Sequence, residues 1–566
     1  MRWTLKPKPS QDKVLELATE LSVDQNIASL LLQRGIETYQ HAKLFFRPSL
    51  EDLHDPFLMQ DMHKAVARIN KAIANNENIL VYGDYDVDGT TAVSLVSSYL
   101  KSYYGNVATY IPDRYQEGYG ISFQGIDFAE DNNFSLIIAL DCGIKAIDKV
   151  DYANKKGIDF IICDHHRPGN ELPNAVAILD PKRDDCQYPY DELCGCGVGF
   201  KLVQALASER QQNIVDLLPY LDLVATAIAA DIVPMTGENR ILAYYGLEQI
   251  NTNPRAGIKA IIHQIKKDTL NITDVVFIIA PRINAAGRMK HGSYAVELMT
   301  EENFETAQQM AAEIELFNTE RRNLDALITN EALIQIELQK EENNATTVVY
   351  QEDWHKGVIG IVASRLIETY YRPTLVFTKN NNKLAASARS VSGFDVYNAL
   401  DACSMFIEQF GGHKYAAGLT LLEENYENFK QKFEEVVKET IPDELLHPEI
   451  KIDQEIELSE ITPKFYRVLK LFGPFGPKNM KPVFKASGLK DTGYSRKVGS
   501  DESHLKLNIL AKDGHTKFDG IGFGLGEWHE KIKDGDIFSI VFTIDENHWN
   551  GNITLQLNVK DIKLDD

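Results

Sequence analysis

Ile79-Leu80-Val81-Tyr82-Gly83-Asp84-Tyr85-Asp86-Val87-Asp88-Gly89 is the stretch on which the fold turns. A run of apolar, β-favouring residues reads as a buried strand, and it ends abruptly in acids and a glycine. The pattern returns twice: Leu136–Leu140 runs into Asp141-Cys142-Gly143, and Phe160–Cys163 runs into Asp164-His165-His166. Val107–Ile111 and Ala175–Leu179 supply two more short apolar runs, while Thr91–Ser102 and Ile147–Lys156 carry apolar residues at helical spacing. Strands alternating with helices predict an α/β domain with a mostly parallel, doubly wound sheet. Ligands of such sheets bind beyond the carboxyl ends of the strands, where the acids and histidines fall.

If Asp86 and Asp88 lie on an extended strand end, their carboxylates face the same way, because side chains alternate along a strand. Gly89 then permits a tight turn. A further acid, Asp231, ends the apolar run Val224–Ala230 and needs a partner there. Four strand-end positions carrying Asp or His within one domain predict a metal site. The mixed carboxylate and imidazole set favours Mn²⁺ or Mg²⁺. Two ions would polarise a phosphoryl group and activate water, which gives metal-assisted phosphoester or phosphoanhydride hydrolysis as the reaction class.

A chain of 566 residues exceeds one core and implies three or four domains. Its N-terminus lacks the apolar stretch of a signal peptide, and no apolar run is long enough for a membrane span. A soluble cytoplasmic protein without membrane contact is expected. Cys186, Cys194 and Cys196 lie close together, but they lack the spacing of a structural zinc site and read as reduced thiols. The net charge of −23 lowers the expectation of a nucleic-acid partner. Screening within about 8–10 Å still allows a local basic groove on an acidic body.

Gln11–Leu21 and Asp24–Arg34 predict a short helical lead-in. Thr300–Glu342 predicts one long helix bridging two domains. A second α/β unit spans about 345–445, with strands Thr346–Tyr350 and Pro373–Phe377 and a helix Ile359–Tyr370. Beyond it, Leu505–Ile509, Phe538–Ile544 and Ile553–Val559 alternate as half-buried strands do, so a small β-barrel of the oligonucleotide-binding (OB) type is expected.

Asp84–Gly89, Asp141, Asp164-His165-His166 and Asp231 resemble, in order, the four motifs of the DHH phosphoesterase superfamily. Trp354–Gly360, Ser387–Ser390 and Gly411–Gly418 resemble its associated domain. Pro281–Arg288 and the barrel with Phe472–Gly476 are similar to the RecJ-type branch. The resemblance implies a DHH catalytic domain at 51–298 after a lead-in at 1–50, a connecting helix at 299–343, a DHH-associated domain at 344–446 and an OB domain at 447–566. It implies an exonuclease that degrades single-stranded DNA 5′→3′ to mononucleotides with two Mn²⁺ or Mg²⁺ ions, acting in repair and recombination. A monomer is expected, with a helicase and a single-strand-binding protein as candidate partners. Asp84, Asp86, Asp88, Asp141, His165 and Asp231 would hold metal, and His166 and Asp164 would be catalytic. Tyr82 stands where many DHH phosphatases have histidine, and Lys478 stands where glycine is expected before Asn479.

Arg114, Arg282, Ser387, Arg389 and His413 would capture the terminal 5′ phosphate. Tyr466, Phe472, Phe475, Trp528 and Trp549 offer stacking faces, with Lys464, Arg467, Lys478 and Lys481 following the backbone. Small substrates such as dinucleotides or pyrophosphate would not need the barrel. A scaffold that had lost catalysis would have lost ligands, and here they are all present.

Overall fold

The computed structural model describes every residue except 266, 268, 534, 550 and 566, and at 549 the backbone alone. Five parallel strands form the central sheet, in the spatial order Val107–Tyr110, Asn78–Gly83, Phe134–Leu140, Asp159–Cys163 and Ala177–Leu179. The pleat sends Ile79, Val81, Leu136, Ile138 and Leu140 to one face, where helices Met62–Ala74, Val87–Lys101 and Gly195–Glu209 cover them. Leu80, Tyr82, Ile137, Ala139 and Phe160 face the other side, under Phe123–Asp131 and Ile147–Lys155. Both faces are buried, which explains why the strands read as nearly continuous apolar runs.

Two expectations change here. The chain is already helical at Val87, so Asp86 and Asp88 do not share a strand. Asp86 is the N-cap of Val87–Lys101, accepting a hydrogen bond from Gly89 N at 3.0 Å, and Asp88 sits in the first turn. Aspartate is a preferred N-cap, and that local bond outweighs extension of the strand beyond Gly83. Asp231 ends a helix, Leu221–Asp231, rather than a strand. A fully buried helix has no polar face, so periodicity could not reveal it.

The long helix runs Phe304–Gln339 and packs on both α/β units. In the second unit, strands Thr347–Tyr350 and Thr374–Asn380 pair in parallel, and three antiparallel strands complete the sheet. The C-terminal strands form a seven-stranded sheet closed by pairing between Phe484–Asp491 and His504–Leu510, which makes a barrel. Val14, Leu17, Leu30 and Leu31 of the N-terminal helices share the barrel's core, and Arg2–Leu5 pairs in parallel with Glu449–Ile452. Phe472 is wholly buried there, with Phe45 and Phe46 edge-on at 5.3 and 5.4 Å, so it offers no stacking face. Tyr466, Phe475 and Trp528 pack partly into the same core, and the Trp549 side chain lies outside the described residues. Lys478 and Lys481 are engaged by Glu192 and Asp545. Among the described residues the exposed aromatics of the barrel are Tyr494 and Phe523, which the sequence had not marked. Among the described residues no helix is long and apolar enough to cross a membrane.

Candidate metal centre and phosphate pocket

The strand ends converge on His165. Its Nε2 lies 3.1 Å from Asp141 Oδ1, 3.6 Å from Asp231 Oδ2 and 3.8 Å from Asp88 Oδ2. Two triads of donor atoms, each within 4.8 Å, share this histidine: Asp141–His165–His166 and Asp88–His165–Asp231. Backbone geometry aims the ligands. Asp141 N still bonds to Cys163 O at 2.8 Å, and then φ +59° at Asp141 turns the chain off the sheet. Aspartate tolerates that left-handed conformation better than most residues.

Asp88 is held from the far side of the domain. Gly195 N and Cys196 N, at the start of helix Gly195–Glu209, donate to its two oxygens at 2.6 and 2.7 Å. The positive end of a helix suits a carboxylate. A Cβ on Gly195 would stand 2.5 Å from Asp141 Cβ, so only glycine lets this helix approach both ligands. Sequence reading missed this support and weighed Cys194 and Cys196 only as a zinc site or as reduced thiols. Both are buried, and Cys194 caps the same helix.

Asp164 has a different task. Its Oδ1 accepts from His165 N and His166 N and pairs with His166 Nδ1 at 2.7 Å, while Oδ2 accepts from Ile144 N at 2.9 Å. Burial pushes this carboxyl up, but the His166 bond and the Ile144 N–H outweigh it and hold it at about 2. For His166, burial is likewise outweighed by Asp164, so its pKa is raised. Its Nε2 lies 3.2 Å from the hydroxyl of Tyr119, another residue the sequence did not single out.

The remaining carboxyls are strained electrostatically. Burial, then the neighbouring Asp86, raises Asp88 to about 7, and burial, then Asp88 and Asp86, raises Asp231 to about 8. Asp84 rises well above the usual range through burial and then Asp86, and Asp141 through burial and then Asp88, Asp86 and Asp231. His165 falls to about 3 through burial and the neighbouring His166, so it is neutral with a free nitrogen. Asp141 Oδ1, Asp84 Oδ2 and His165 Nε2 are buried without hydrogen-bond partners. Orphaned acceptors around a neutral imidazole fit a divalent cation. Asp84 and Asp86 fall outside both triads, with Asp84 accepting from Gly120 N at 3.4 Å.

Tyr82 points elsewhere. Its hydroxyl donates to Gly120 O at 2.9 Å and accepts from Ser122 N at 3.1 Å, and its ring stacks on Tyr110. Burial drives its pKa far up. The phenol braces the loop under Asp84.

Beside the Asp84 edge lies a pocket of opposite charge. Arg114 stacks on Tyr85 at 3.8 Å and donates to Gly287 O. Arg389 NH1 donates to Ser387 Oγ at 3.1 Å and to Ala388 O. Arg288, which sequence reading passed over, donates to Gly357 O, and burial followed by Arg114 and Arg389 lowers it to about 10. Among the described residues none of these three guanidiniums has a carboxylate within 4 Å. Arg282, by contrast, is paired with Glu315 at 2.7 Å. His413 ends the exposed strand Gln409–His413 and lies within electrostatic reach of His166, Lys145 and Lys182.

A five-stranded parallel sheet with two ligand triads that share His165 defines a DHH-type domain. Residues 78–228 match the DHH family N-terminal domain, 343–439 the DHHA1 domain and 452–561 the RecJ OB domain. The chain is 39% identical over 568 residues to the single-stranded-DNA-specific exonuclease RecJ of Bacillus subtilis, covering 99% of this chain and 70% of that one. It is 33% identical to the protein of that name from Dickeya dadantii, over 96% of this chain and 97% of the other. RecJ of Thermus thermophilus, solved in complex with Mn²⁺, superposes with a TM-score of 0.84 at 25% identity, covering 100% of this chain and 80% of that one. The chain belongs to the RecJ family.

Proposed function

We propose that the protein is a metal-dependent exonuclease that hydrolyses single-stranded DNA from the 5′ end, using two Mn²⁺ or Mg²⁺ ions, and serves repair and recombination. The observation that carries this reading is the pairing of orphaned acceptors around His165 with a group of arginines that, among the described residues, have no carboxylate within 4 Å. Asp88, Asp231 and His165 would hold one ion, and Asp141 with His165 or His166 would take part in the second, with Asp84 and Asp86 behind them. When bound, the ions supply Lewis-acid neutralisation of phosphoryl charge and lower the pKa of the attacking water. His166, oriented by Asp164, presents Nε2 toward the cleft, where it can give a proton to the leaving 3′ oxygen as the P–O bond breaks. Arg114, Arg288 and Arg389, with Ser387, would bind the terminal 5′ phosphate through charge-assisted bonds and so fix polarity. Arg282 and His413 would border this path. Residues 51–298 would hold the chemistry, 344–446 the end pocket and 447–566 the strand. A time course on strands labelled at 5′ or 3′, with Mn²⁺ or Mg²⁺, tests the reading. Early release of labelled mononucleotide from the 5′-labelled strand alone is expected, and early release from the 3′-labelled strand would refute it.

A further inference from the structure

Just past Asp231 the backbone takes an unfavourable course. Ile232 adopts φ +59° and ψ +32°, a left-handed conformation that a branched side chain resists, yet 67% of the residue is exposed. No burial of its side chain compensates for that strain, and strain of this kind gathers at ligand sites.

Facing the same part of the cluster, the strand Ala177–Leu179 runs into Asp180-Pro181-Lys182-Arg183. This turn is fixed. Arg183 bonds to Asp61 at 2.8 Å, to both oxygens of Asp185 and to Ile178 O, while Lys182 N donates to Asp180 Oδ1 at 2.8 Å. The Lys182 ammonium has no hydrogen bond or ion pair among the described residues. It nonetheless stands within electrostatic reach of Asp180, Asp231, His165 and His413. A rigid turn that holds a half-buried lysine beside the cluster, bonded to none of its acids, leaves that cation available to another anion.

The two flanks of the cluster differ. Arg114 and Arg288 lie on the Asp84–Tyr85 side. Lys182 and Ile232 lie on the Asp231 side, which is also where the barrel docks, through Met235 N to Pro477 O at 2.8 Å and Lys478 to Glu192 at 2.8 Å. A strand whose 5′ phosphate sits among the arginines must leave the reacting phosphate past Asp231, toward the barrel.

Resting on the exonuclease reading, we propose that Lys182 and Ile232 form the subsite that receives the strand on the barrel side of the scissile phosphate. Lys182 takes the next phosphate toward the 3′ end, and Ile232 lies against the adjoining nucleoside. The test is steady-state cleavage in Mn²⁺ of a 5′-phosphorylated 20-mer and of a 5′-phosphorylated dinucleotide, which has no phosphate beyond the scissile one. Lys182→Gln should raise KM for the 20-mer roughly tenfold with kcat within about twofold, reduce the salt dependence of log kcat/KM by a slope of about 0.7, and affect the dinucleotide several-fold less. Lys182→Arg should restore most of the loss. Ile232→Gly, which relieves the backbone, should melt no lower than wild type yet raise KM for the 20-mer several-fold. A wild-type KM in Lys182→Gln, or equal effects on both substrates, overturns the Lys182 assignment, and a wild-type KM in Ile232→Gly overturns its part. Wild-type protein that cleaves neither substrate overturns the exonuclease reading, and this inference with it.

Discussion

The carboxylate cluster at the strand ends and the arginine pocket beside it are opposites in charge and alike in being incomplete. In the first, Asp84, Asp88, Asp141 and Asp231 are driven toward protonation by burial and by neighbouring carboxylates, and the imidazole at their centre is neutral. In the second, Arg288 is lowered by burial and by neighbouring arginines, and Arg114, Arg288 and Arg389 meet carbonyls, a hydroxyl and a ring instead of carboxylates. Desolvated charge without a partner destabilises a fold, so each cluster is built for something that arrives from outside. In the proposed function the missing partner is a cation on one side and a terminal phosphate on the other.

Breaking the anionic half should have the largest effect. Asp141→Ala removes an orphaned oxygen 3.1 Å from His165, and nucleolysis should fall by more than about 10³-fold while metal-free strand binding survives. Gel shift in EDTA beside a cleavage assay in Mn²⁺ checks both; full residual activity would place the chemistry elsewhere. Breaking the cationic half should cost less. Arg389→Ala removes a charge-assisted contact worth roughly 1.5–3 kcal/mol, so the preference for 5′-phosphate over 5′-hydroxyl ends should shrink by about 10- to 150-fold. Competition between the two ends measures this ratio, and an unchanged ratio would move the terminal phosphate to another site.

Titration sharpens the contrast. Asp88 at about 7 and Asp231 at about 8 bind protons in the native state that the unfolded chain releases near pH 4. Native protein then holds more protons than unfolded protein, and stability falls as pH rises. His165, depressed to about 3, acts in the other direction up to its unfolded value near 6.5, and Asp164 acts only at about pH 2–4. The clean window is therefore about pH 6.5–8. Metal-free protein should lose thermal stability across it, and Mn²⁺ should raise the melting temperature most at the upper end, where fewer protons must be displaced. A melting temperature that rises with pH in EDTA would contradict these assignments.

Much of this was legible in the sequence, and the unread parts share a cause. Strand ends announce themselves because an apolar run stops at an acid, which placed Asp84, Asp141 and Asp164–His166 correctly along the chain. Asp86 and Asp231 were legible as acids but not in conformation, since capping at Asp86 is a local choice and a fully buried helix before Asp231 has no period. The support of Asp88 by Gly195 and Cys196 joins residues more than a hundred positions apart, and no local pattern encodes that. Phe472 looked like a stacking face because composition does not say which side of a barrel wall a ring takes.

The joint between catalytic domain and barrel is the compensated counterpart of both clusters. Arg240 lies buried among the carbonyls of Phe45, Leu471, Phe472, Gly473 and Pro474, and Asn479 accepts from Arg34 while donating to Phe472 O and Pro474 O. Every strong donor there has an internal acceptor, so substitutions should alter stability and leave the phosphate chemistry alone. Lys478 gives the smallest and most discriminating case. It has φ +60° in the turn between Gly476 and Asn479, a conformation that suits the glycine the family resemblance led one to expect there, and its ammonium pairs with Glu192 at 2.8 Å. Lys478→Gly relieves a left-handed side chain, worth about 1–2 kcal/mol, and loses an exposed ion pair worth about 0.2–1 kcal/mol. The net is a small gain, offset in part by the extra freedom of glycine in the unfolded chain. A melting temperature shifted by no more than a few degrees with kcat on a short strand unchanged is the expected result. A large loss of kcat would show that the joint is coupled to the metal centre, and that its internal compensation does not isolate it.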